Sequence, residues 1–361
     1  MSKIPPDALR SAARSIVLIL LTAMAAAVAP PALAASASAP AGTHIKSHKA
    51  QDRVKPAAPL ESKAAQQANP DVRPKAFQAN TGNLWVTDGA GNTYDTGLGM
   101  MKGTSPSIIA VGSGGYQVAF QANTGNLWTA GSYGTADTGL GMMPGTSPSI
   151  TYVSGGYQVA FQANTGNLWV TGTSGTADWG LGMMRGTSPS ITSVKGGYQM
   201  AFQANTGNLW TTGTLGTGDL GLGMMPGTSP SITWLPNGYQ VAFQANTGTL
   251  WTTGTYGTFN TGLGMAQGTS PSIQRFLSGG VQVAFQANTG TLWTTNSSGG
   301  EARDTGLGMA QGTSPHITAR PYPDMGGYQV LFQANTGSLW STGTDGTADL
   351  GLGMMSGTSP G

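Results

Sequence analysis

The chain of 361 residues contains no cysteine, and only 8% of its residues are charged. Without cysteine, neither disulfides nor thiolate metal sites can hold the fold together, so stability must come from packing. Glycine is abundant at 57 residues, but no Gly-X-Y period exists, which excludes a collagen-like chain. No helical period is visible, while Trp, Phe, Leu and Val recur at fixed positions, which argues against disorder for most of the chain.

The first 34 residues have the pattern of a secretory signal peptide. Three basic residues precede an apolar run at 15–29, and Ala-Leu-Ala at 32–34 offers a cleavage site. We therefore expect a secreted, extracellular protein with no membrane span after cleavage. The alternative is an uncleaved membrane anchor, but the apolar run is short for a span.

Residues 35–75 are rich in Ala, Pro, Lys, Ser and Gln and hold no aromatic residue, which predicts a flexible linker. His44 and His48 stand four residues apart, but no other ligand type is organised nearby, so we interpret them as part of a solvated linker. This segment carries seven basic residues against three acidic ones, whereas residues 76–361 carry six against ten. The repeat region therefore offers no electrostatic support for binding nucleic acid.

From Ala76 onward one unit recurs seven times, each copy containing QANTG followed by Leu-Trp. The repeated Phe stands at 77, 120, 161, 202, 243, 285 and 332, so the units are 41 to 47 residues apart. Within one unit, GGYQVAFQA alternates with a period of two, Asn-Thr-Gly supplies a turn, and NLWTA returns as a second strand. DTGLGM and SITYV supply two more short strands. The sequence thus predicts an all-β propeller of seven units of about 41 residues over 76–361, with four-stranded blades.

The element that precedes the Gly-Gly strand begins with Ser-Ile in five copies and with His316-Ile317 in one, so it occurs six times rather than seven. We therefore expect the first blade to have three strands and one open edge, through which copies of the chain could pair as a homo-oligomer. These patterns are compatible with both a closed and an open ring.

Catalytic residue types are scarce in the repeat region, which holds one histidine, His316, and one glutamate, Glu301. Glycoside hydrolysis needs two carboxylates flanking one bond, but the aspartates sit mainly at one repeated position on separate units. No clustered carboxylates suit a calcium loop. We predict no catalytic residue, no metal and no cofactor; a propeller hydrolase using His316 or Glu301 is the weakest alternative.

The repeated polar and aromatic residues are the candidates for ligand contact. A sugar ring presents an apolar face and many hydroxyls, so an indole with amide and carboxylate groups suits it. The candidate carbohydrate-binding aspartates are Asp95, Asp137, Asp178, Asp219, Asp304 and Asp349. The candidate asparagines are Asn83, Asn126, Asn167 and Asn208. The candidate tryptophans are Trp85, Trp128, Trp169, Trp210, Trp251, Trp293 and Trp340.

Each of these sets also has a structural interpretation. Gln and Asn can satisfy buried backbone groups, Asp can bond turn amides, and the repeated Trp can pack between blades. The loops that follow the Trp strand vary instead, and Tyr94, Tyr133, Leu215 and Tyr256 project there. Variable loops on a repeated scaffold are typical of partner selection. Trp179 and Trp234 are further aromatics without counterparts in most units.

GGYQVAFQANTGNLW followed by GTSPSI resembles the blades of tachylectin-type β-propeller lectins, and repeats of secreted actinobacterial proteins, over nearly all of 76–361. The resemblance implies calcium-independent binding of sugars, often N-acetylated or amino sugars, between adjacent blades. Tyr stands here where that family has Trp after Gly-Gly, and tachylectin itself has five blades. We therefore expect a multivalent, non-catalytic lectin that binds glycans or cell-surface polysaccharide; the main alternative is a scaffold that binds a protein partner through its variable loops.

Overall fold

The computed structural model describes residues 73–112, 114–276, 278–320 and 327–361. The predicted signal peptide and nearly all of the predicted linker lie outside these ranges, and the first strand begins at Lys75, one residue before the predicted boundary. The described residues form 27 antiparallel strands in seven sheets, one of three strands and six of four. This arrangement is a seven-bladed β-propeller, as predicted, including the incomplete first blade. Within these ranges no helix is long and apolar enough to cross a membrane.

Each blade is one sheet whose strands follow one another in chain order. Blade 1 comprises β1 (Lys75–Gln78), β2 (Asn83–Thr87) and β3 (Thr93–Gly99). Blade 2 comprises β4 (Ser107–Val111), β5 (Gly115–Gln121), β6 (Asn126–Gly131) and β7 (Ala136–Gly141). Blade 3 comprises β8 (Ser149–Val153), β9 (Gly156–Gln162), β10 (Asn167–Gly172) and β11 (Ala177–Gly182). Blade 4 comprises β12 (Ser190–Val194), β13 (Gly197–Gln203), β14 (Asn208–Gly213) and β15 (Gly218–Gly223).

The remaining three blades repeat this order. Blade 5 comprises β16 (Ser231–Leu235), β17 (Gly238–Gln244), β18 (Thr249–Gly254) and β19 (Phe259–Gly264). Blade 6 comprises β20 (Ser272–Arg275), β21 (Val281–Gln286), β22 (Thr291–Asn296) and β23 (Arg303–Gly308). Blade 7 comprises β24 (His316–Ala319), β25 (Tyr328–Gln333), β26 (Ser338–Gly343) and β27 (Ala348–Gly353). We call the four positions of a complete blade the inner, second, third and outer strand, because the inner strands of successive blades contact one another.

The core lies between blades. At each interface Phe of the second strand is buried against Leu and Met of the preceding blade; Phe161, for example, packs on Leu127 and Met142. All seven repeated Phe side chains are fully buried. Large apolar side chains contribute most to stability when they are completely removed from water, so this stacked layer stabilises a fold that has no disulfides.

The QANTG segment forms the hairpin turn between the second and third strands, as the sequence predicts. In blade 2 the amide of Gly125 donates to the carbonyl of Ala122 at 2.9 Å, and the same bond recurs in every blade. The glycine of the turn has a φ between 82° and 91° in all seven copies, which explains why no other residue stands there.

The Gln of QANTG is structural. Gln121, which is fully buried, donates its side-chain amide to the carbonyls of Met142 and Met143 at 3.4 and 3.2 Å, where the chain leaves for the next blade. An equivalent Gln makes the bond to the second of these carbonyls in all seven blades, at 3.1 or 3.2 Å. A buried carbonyl without a partner is costly, so this side chain fixes the connection between blades.

Hydrogen bonds run around the whole ring and show that it closes. One serine of each GTSP connection donates its backbone N–H to the Oγ of the next serine at 2.9 Å, and the last returns to the first. These serines are Ser105, Ser147, Ser188, Ser229, Ser270, Ser314 and Ser359. At the seam, Gly361 and Ala76 also exchange two backbone hydrogen bonds, so Gly361 takes the first inner-strand position of blade 1.

On the N-terminal side of Ala76, the edge of β1 that pairs with Gly361 continues to a proline. Residues two apart on a strand direct their backbone groups to the same side, so Pro74 occupies the position that would offer the next N–H. Proline has no such donor, which is typical of protected edge strands. Pairing of this edge with another copy therefore lacks one ladder bond, and the predicted homo-oligomer stays a prediction.

Candidate functional site

The two ends of the ring differ in their exposed side chains. We call the end with the QANTG turns and GTSP connections the QANTG end. The opposite end, the loop end, holds the turns between inner and second strands and the variable loops between third and outer strands. Within the described ranges all exposed large apolar side chains lie at the loop end, in blades 2 to 5: Tyr133, Tyr152, Leu215, Trp234 and Tyr256. Their exposed fractions of 38% to 51% identify this end as the candidate binding surface.

A second repeated glutamine, in the GYQ segment, holds each variable loop in place. In blade 3 the buried Gln158 donates to the carbonyl of Gly175 at 2.9 Å and accepts from the amide of Ser174 at 3.3 Å. Gln117, Gln199 and Gln240 make the same pair of bonds in blades 2, 4 and 5. The residue at the loop tip is therefore presented from the same backbone position in these four blades: Tyr133, Ser174, Leu215 and Tyr256.

A cavity of about 640 Å³ lies at the loop end between blades 3 and 4. Trp179 of the outer strand of blade 3 faces Tyr198 of blade 4, with the two rings edge to face and their centroids 6.5 Å apart. Ser174, Ser193 and Thr214 also line the cavity. An aromatic wall with a few polar groups is the composition of a small-ligand site.

Trp179 stands where most blades have threonine. In blade 2 the equivalent Thr138 donates its hydroxyl to the carbonyl of Leu127 at 2.7 Å and accepts from the amide of Leu140. The same two bonds occur in blades 1, 5 and 6. An indole cannot make them, so blade 3 forgoes two local hydrogen bonds and gains an aromatic wall.

Tyr198 is the second distinctive group of this cavity. The corresponding tyrosines Tyr157 and Tyr239 place their hydroxyls 3.5 and 3.1 Å from a threonine hydroxyl of the preceding blade. Blade 3 has Val170 at that threonine position, and among the described residues the Tyr198 hydroxyl has no hydrogen-bond partner. A tyrosine phenol is protonated at neutral pH, and partial burial raises the pKa of Tyr198 further, so its hydroxyl can donate to a ligand.

A second cavity, of about 430 Å³, occupies the next crevice, between blades 4 and 5. Its lining includes Leu215, Leu220 and Tyr239, together with Asn237 and Thr255. This crevice is smaller than the first, and leucine stands at the positions of both Ser174 and Trp179.

The two preceding crevices are covered by tyrosine pairs. Between blades 2 and 3, Tyr133 of the loop tip packs on Tyr157 with ring centroids 5.4 Å apart. Between blades 1 and 2, the hydroxyls of Tyr94 and Tyr116 lie 2.8 Å apart. Burial raises the pKa of both Tyr94 and Tyr116, which keeps this pair neutral.

The predicted aspartate candidates lie on the outer strands, and the predicted asparagine candidates are the first residues of the third strands. In every blade the carboxylate or amide oxygen at the repeated Asp position accepts from the amide of the glycine two residues on, at 2.8 to 3.0 Å. Asn83, Asn126, Asn167 and Asn208 donate to the same aspartate in blades 1 to 4. These bonds lower the pKa of Asp219, first through Asn208 and then through Gly221.

The Asp and the residue after it point to opposite faces of the outer strand. Asp178 stands opposite Trp169, which packs on blade 2, whereas its neighbour Trp179 packs on blade 4. No repeated Asp or candidate Asn lines either cavity. Their predicted ligand contacts stay predictions, while their observed bonds stabilise the outer strand.

The repeated tryptophans pack beside the buried phenylalanines, with ring centroids 6.2 to 6.5 Å apart in all seven blades. In blades 5 to 7 the indole N–H donates to Thr249, Thr291 or Ser338 at 3.0 or 3.1 Å. None of the seven lines either cavity, so the observed contacts fit the interpretation as inter-blade core.

The residues required by the hydrolase alternative lie at opposite ends of the ring. His316 is the first residue of an inner strand, at the QANTG end, and Glu301 lies in the variable loop of blade 6, at the loop end. Desolvation lowers the pKa of His316 to about 4, although part of its surface remains exposed. Within the described ranges no three His, Asp or Glu side chains cluster as metal ligands.

Sequence reasoning noted Trp179 as an unusual aromatic but missed its partners. In the sequence, Tyr198 looks like the other tyrosines that follow Gly-Gly, and Val170 looks like any other β-branched residue of a strand. The available signal was the departure of blade 3 from its neighbours at three positions: Val for Thr, Ser for Tyr or Leu, and Trp for Thr.

The fold is similar to solved structures of propeller lectins. A variant of the Aleuria aurantia lectin in complex with Fucα1-6GlcNAc is 13% identical with a TM-score of 0.51, over 70% of this chain and 96% of that chain. AofleA from Arthrobotrys oligospora is 13% identical with a TM-score of 0.53, over 78% of this chain and 90% of that chain. At this identity the likeness concerns the fold alone. No protein-family profile matches the sequence, and no curated protein matches it.

Proposed function

We propose that the protein is a non-catalytic, carbohydrate-binding propeller whose sugar sites are inter-blade crevices at the loop end. The observation that carries the proposal is the cavity between blades 3 and 4, where Trp179 and Tyr198 meet beside serine and threonine hydroxyls. Its volume of about 640 Å³ lies within the usual range for small-ligand sites. The indole suits the apolar face of a sugar, and the free phenol suits one of its hydroxyls.

The sugar class follows from two sources. The repeat resembles tachylectin-type blades, which implies N-acetylated or amino sugars. The similar solved structures are described with Fucα1-6GlcNAc and with fucose. A glycan array that includes both classes tests the proposal, and we expect binding to a narrow set of glycans that free sugar displaces.

A matched pair of tyrosine variants tests the place of binding. Tyr198→Phe removes a hydroxyl that lacks a protein partner, so we expect about a 3- to 10-fold loss of affinity, the value of one hydrogen bond. Tyr157→Phe removes the equivalent hydroxyl from the crevice covered by Tyr133, and we expect no change. Equal effects of the two variants on titrated affinity would contradict this assignment.

A protein partner is the second candidate, because the five exposed apolar side chains of blades 2 to 5 all lie at the loop end. A partner that remains bound in excess free sugar, together with an array that shows no glycan binding, would favour this alternative.

We also propose that the protein acts outside the cell, as the predicted signal at 1–34 implies. Mass spectrometry of the protein from culture medium should give an N-terminus at Ala35. A product that retains residue 1 would contradict the proposal.

A further inference from the structure

We infer that three side chains of one blade decide whether the crevice between that blade and the next admits a sugar. The three positions lie in the third strand, at the loop tip and in the outer strand; in blade 3 they are Val170, Ser174 and Trp179. The inference rests on the proposed function, and it adds that the ring has fewer sugar sites than its seven repeats would suggest.

The loop tip acts as a cover. Because Gln117 and Gln158 hold the two loops by the same bonds, Tyr133 and Ser174 start from equivalent backbone positions. Tyr133 reaches Tyr157 of the next blade and lies over the crevice between blades 2 and 3. Ser174 is too short to reach Tyr198 in this way, so the crevice between blades 3 and 4 stays open.

The outer-strand residue provides the wall. Thr138 donates to the carbonyl of Leu127 in its own blade and offers no aromatic ring toward blade 3. Trp179 faces blade 4 and forms the aromatic side of the cavity.

The third-strand residue controls the phenol of the next blade. The hydroxyl of Thr129 lies 3.5 Å from the Tyr157 hydroxyl, and that of Thr211 lies 3.1 Å from the Tyr239 hydroxyl. Val170 offers no such group, which leaves the Tyr198 hydroxyl for a ligand.

The other blades vary at the same three positions. Blade 5 repeats the set of blade 2 with Thr252, Tyr256 and Thr261, but blade 6 has Val281 where blade 3 has Tyr157, so this crevice lacks the tyrosine pair. Blade 4 has Thr211, Leu215 and Leu220, which leaves a smaller cavity of about 430 Å³ without an aromatic wall from the outer strand. The inference therefore assigns the most complete site to the crevice between blades 3 and 4.

The test moves the site to a new crevice and covers the old one. The first variant combines Thr129→Val, Tyr133→Ser and Thr138→Trp, which copies blade 3 into blade 2. The second is Ser174→Tyr, with Ser174→Ala as a control that removes the hydroxyl but leaves the crevice open. Full-length protein is titrated with α-methyl-L-fucoside and with N-acetylglucosamine, and the number of sugars bound per chain is measured by calorimetry. Circular dichroism checks that each variant is folded.

We expect the triple variant to bind one more sugar than wild type, Ser174→Tyr to bind one fewer, and Ser174→Ala to keep the wild-type number. If wild type binds sugar but Ser174→Tyr leaves the number unchanged, the inference is overturned while the proposed function stands. If the triple variant does not fold, the comparison of Ser174→Tyr with Ser174→Ala tests the inference by itself. If wild type binds neither these probes nor any glycan on the array, the proposed function fails, and the inference fails with it.

Discussion

The QANTG end and the loop end are built from the same repeats, but they use them differently. At the QANTG end all seven blades make the same bonds, including the closed circle of serines and the glutamine bond to each connection. At the loop end the backbone is equally regular in blades 2 to 5, but neighbouring blades present different side chains on it. Repetition therefore marks the scaffold in this protein, whereas departure from repetition marks the candidate site.

The largest expected effect breaks the scaffold. Phe161→Ala empties a fully buried ring position between blades 2 and 3, and we expect a loss of about 3–5 kcal/mol of unfolding free energy. Tyr133→Ala removes a side chain of similar size at the same interface, but this ring is 43% exposed, so we expect a loss of less than about 1 kcal/mol. Urea unfolding of both variants measures the difference, and equal losses would contradict the distinction between the ends.

An intermediate effect separates the two ends within one strand. Gln162 and Gln158 both lie buried in β9, but Gln162 bonds the connection at the QANTG end and Gln158 holds the loop tip. Replacing either with Leu orphans buried backbone groups, and we expect each to cost about 1–3 kcal/mol. Only Gln158→Leu should also weaken sugar binding, because only this variant releases Ser174. A sugar titration of both variants checks this, and weaker binding by Gln162→Leu alone would reverse the assignment.

The smallest expected effect concerns the repeated aspartate. The bonds from Asn208 and Gly221 lower the pKa of Asp219 in the folded state, so its carboxylate stabilises the fold above the ordinary Asp pKa. That contribution is lost as pH falls through the lowered pKa. We therefore expect Asp219→Asn to lower the melting temperature slightly at pH 7 and to match wild type in acid. Asn260→Ala is the control, since blade 5 has no titrating group at this position and its effect should not follow the ionisation of an aspartate.

Much of the fold could be predicted from the sequence because its determinants are local. The alternation in GYQVAFQ, the Gly of each turn and the spacing of the repeated Phe predict seven blades, and the six copies of the inner-strand element predict a three-stranded first blade. The structure confirms both predictions. Ring closure could not be predicted in this way. It depends on Ser359 meeting Ser105 and Gly361 meeting Ala76, and no pattern within one repeat specifies such pairs.

The candidate site was harder to predict because it is shared between blades. Trp179 and Tyr198 belong to different repeats, and their meeting depends on which face of the outer strand each side chain takes. The sequence drew attention to Asp178 because it is repeated, but its neighbour Trp179 faces the cavity. A shift of one residue along a strand changes the face, so composition alone could not distinguish the two.

A sugar site between blades 3 and 4 is tested by titrating Trp179→Ala and Asp178→Ala with a glycan that wild type binds. We expect Trp179→Ala to weaken binding about tenfold or more, since a large aromatic wall is lost, and Asp178→Ala to leave the affinity unchanged. Loss of binding in Asp178→Ala with full binding in Trp179→Ala would instead place the site at the repeated carboxylates.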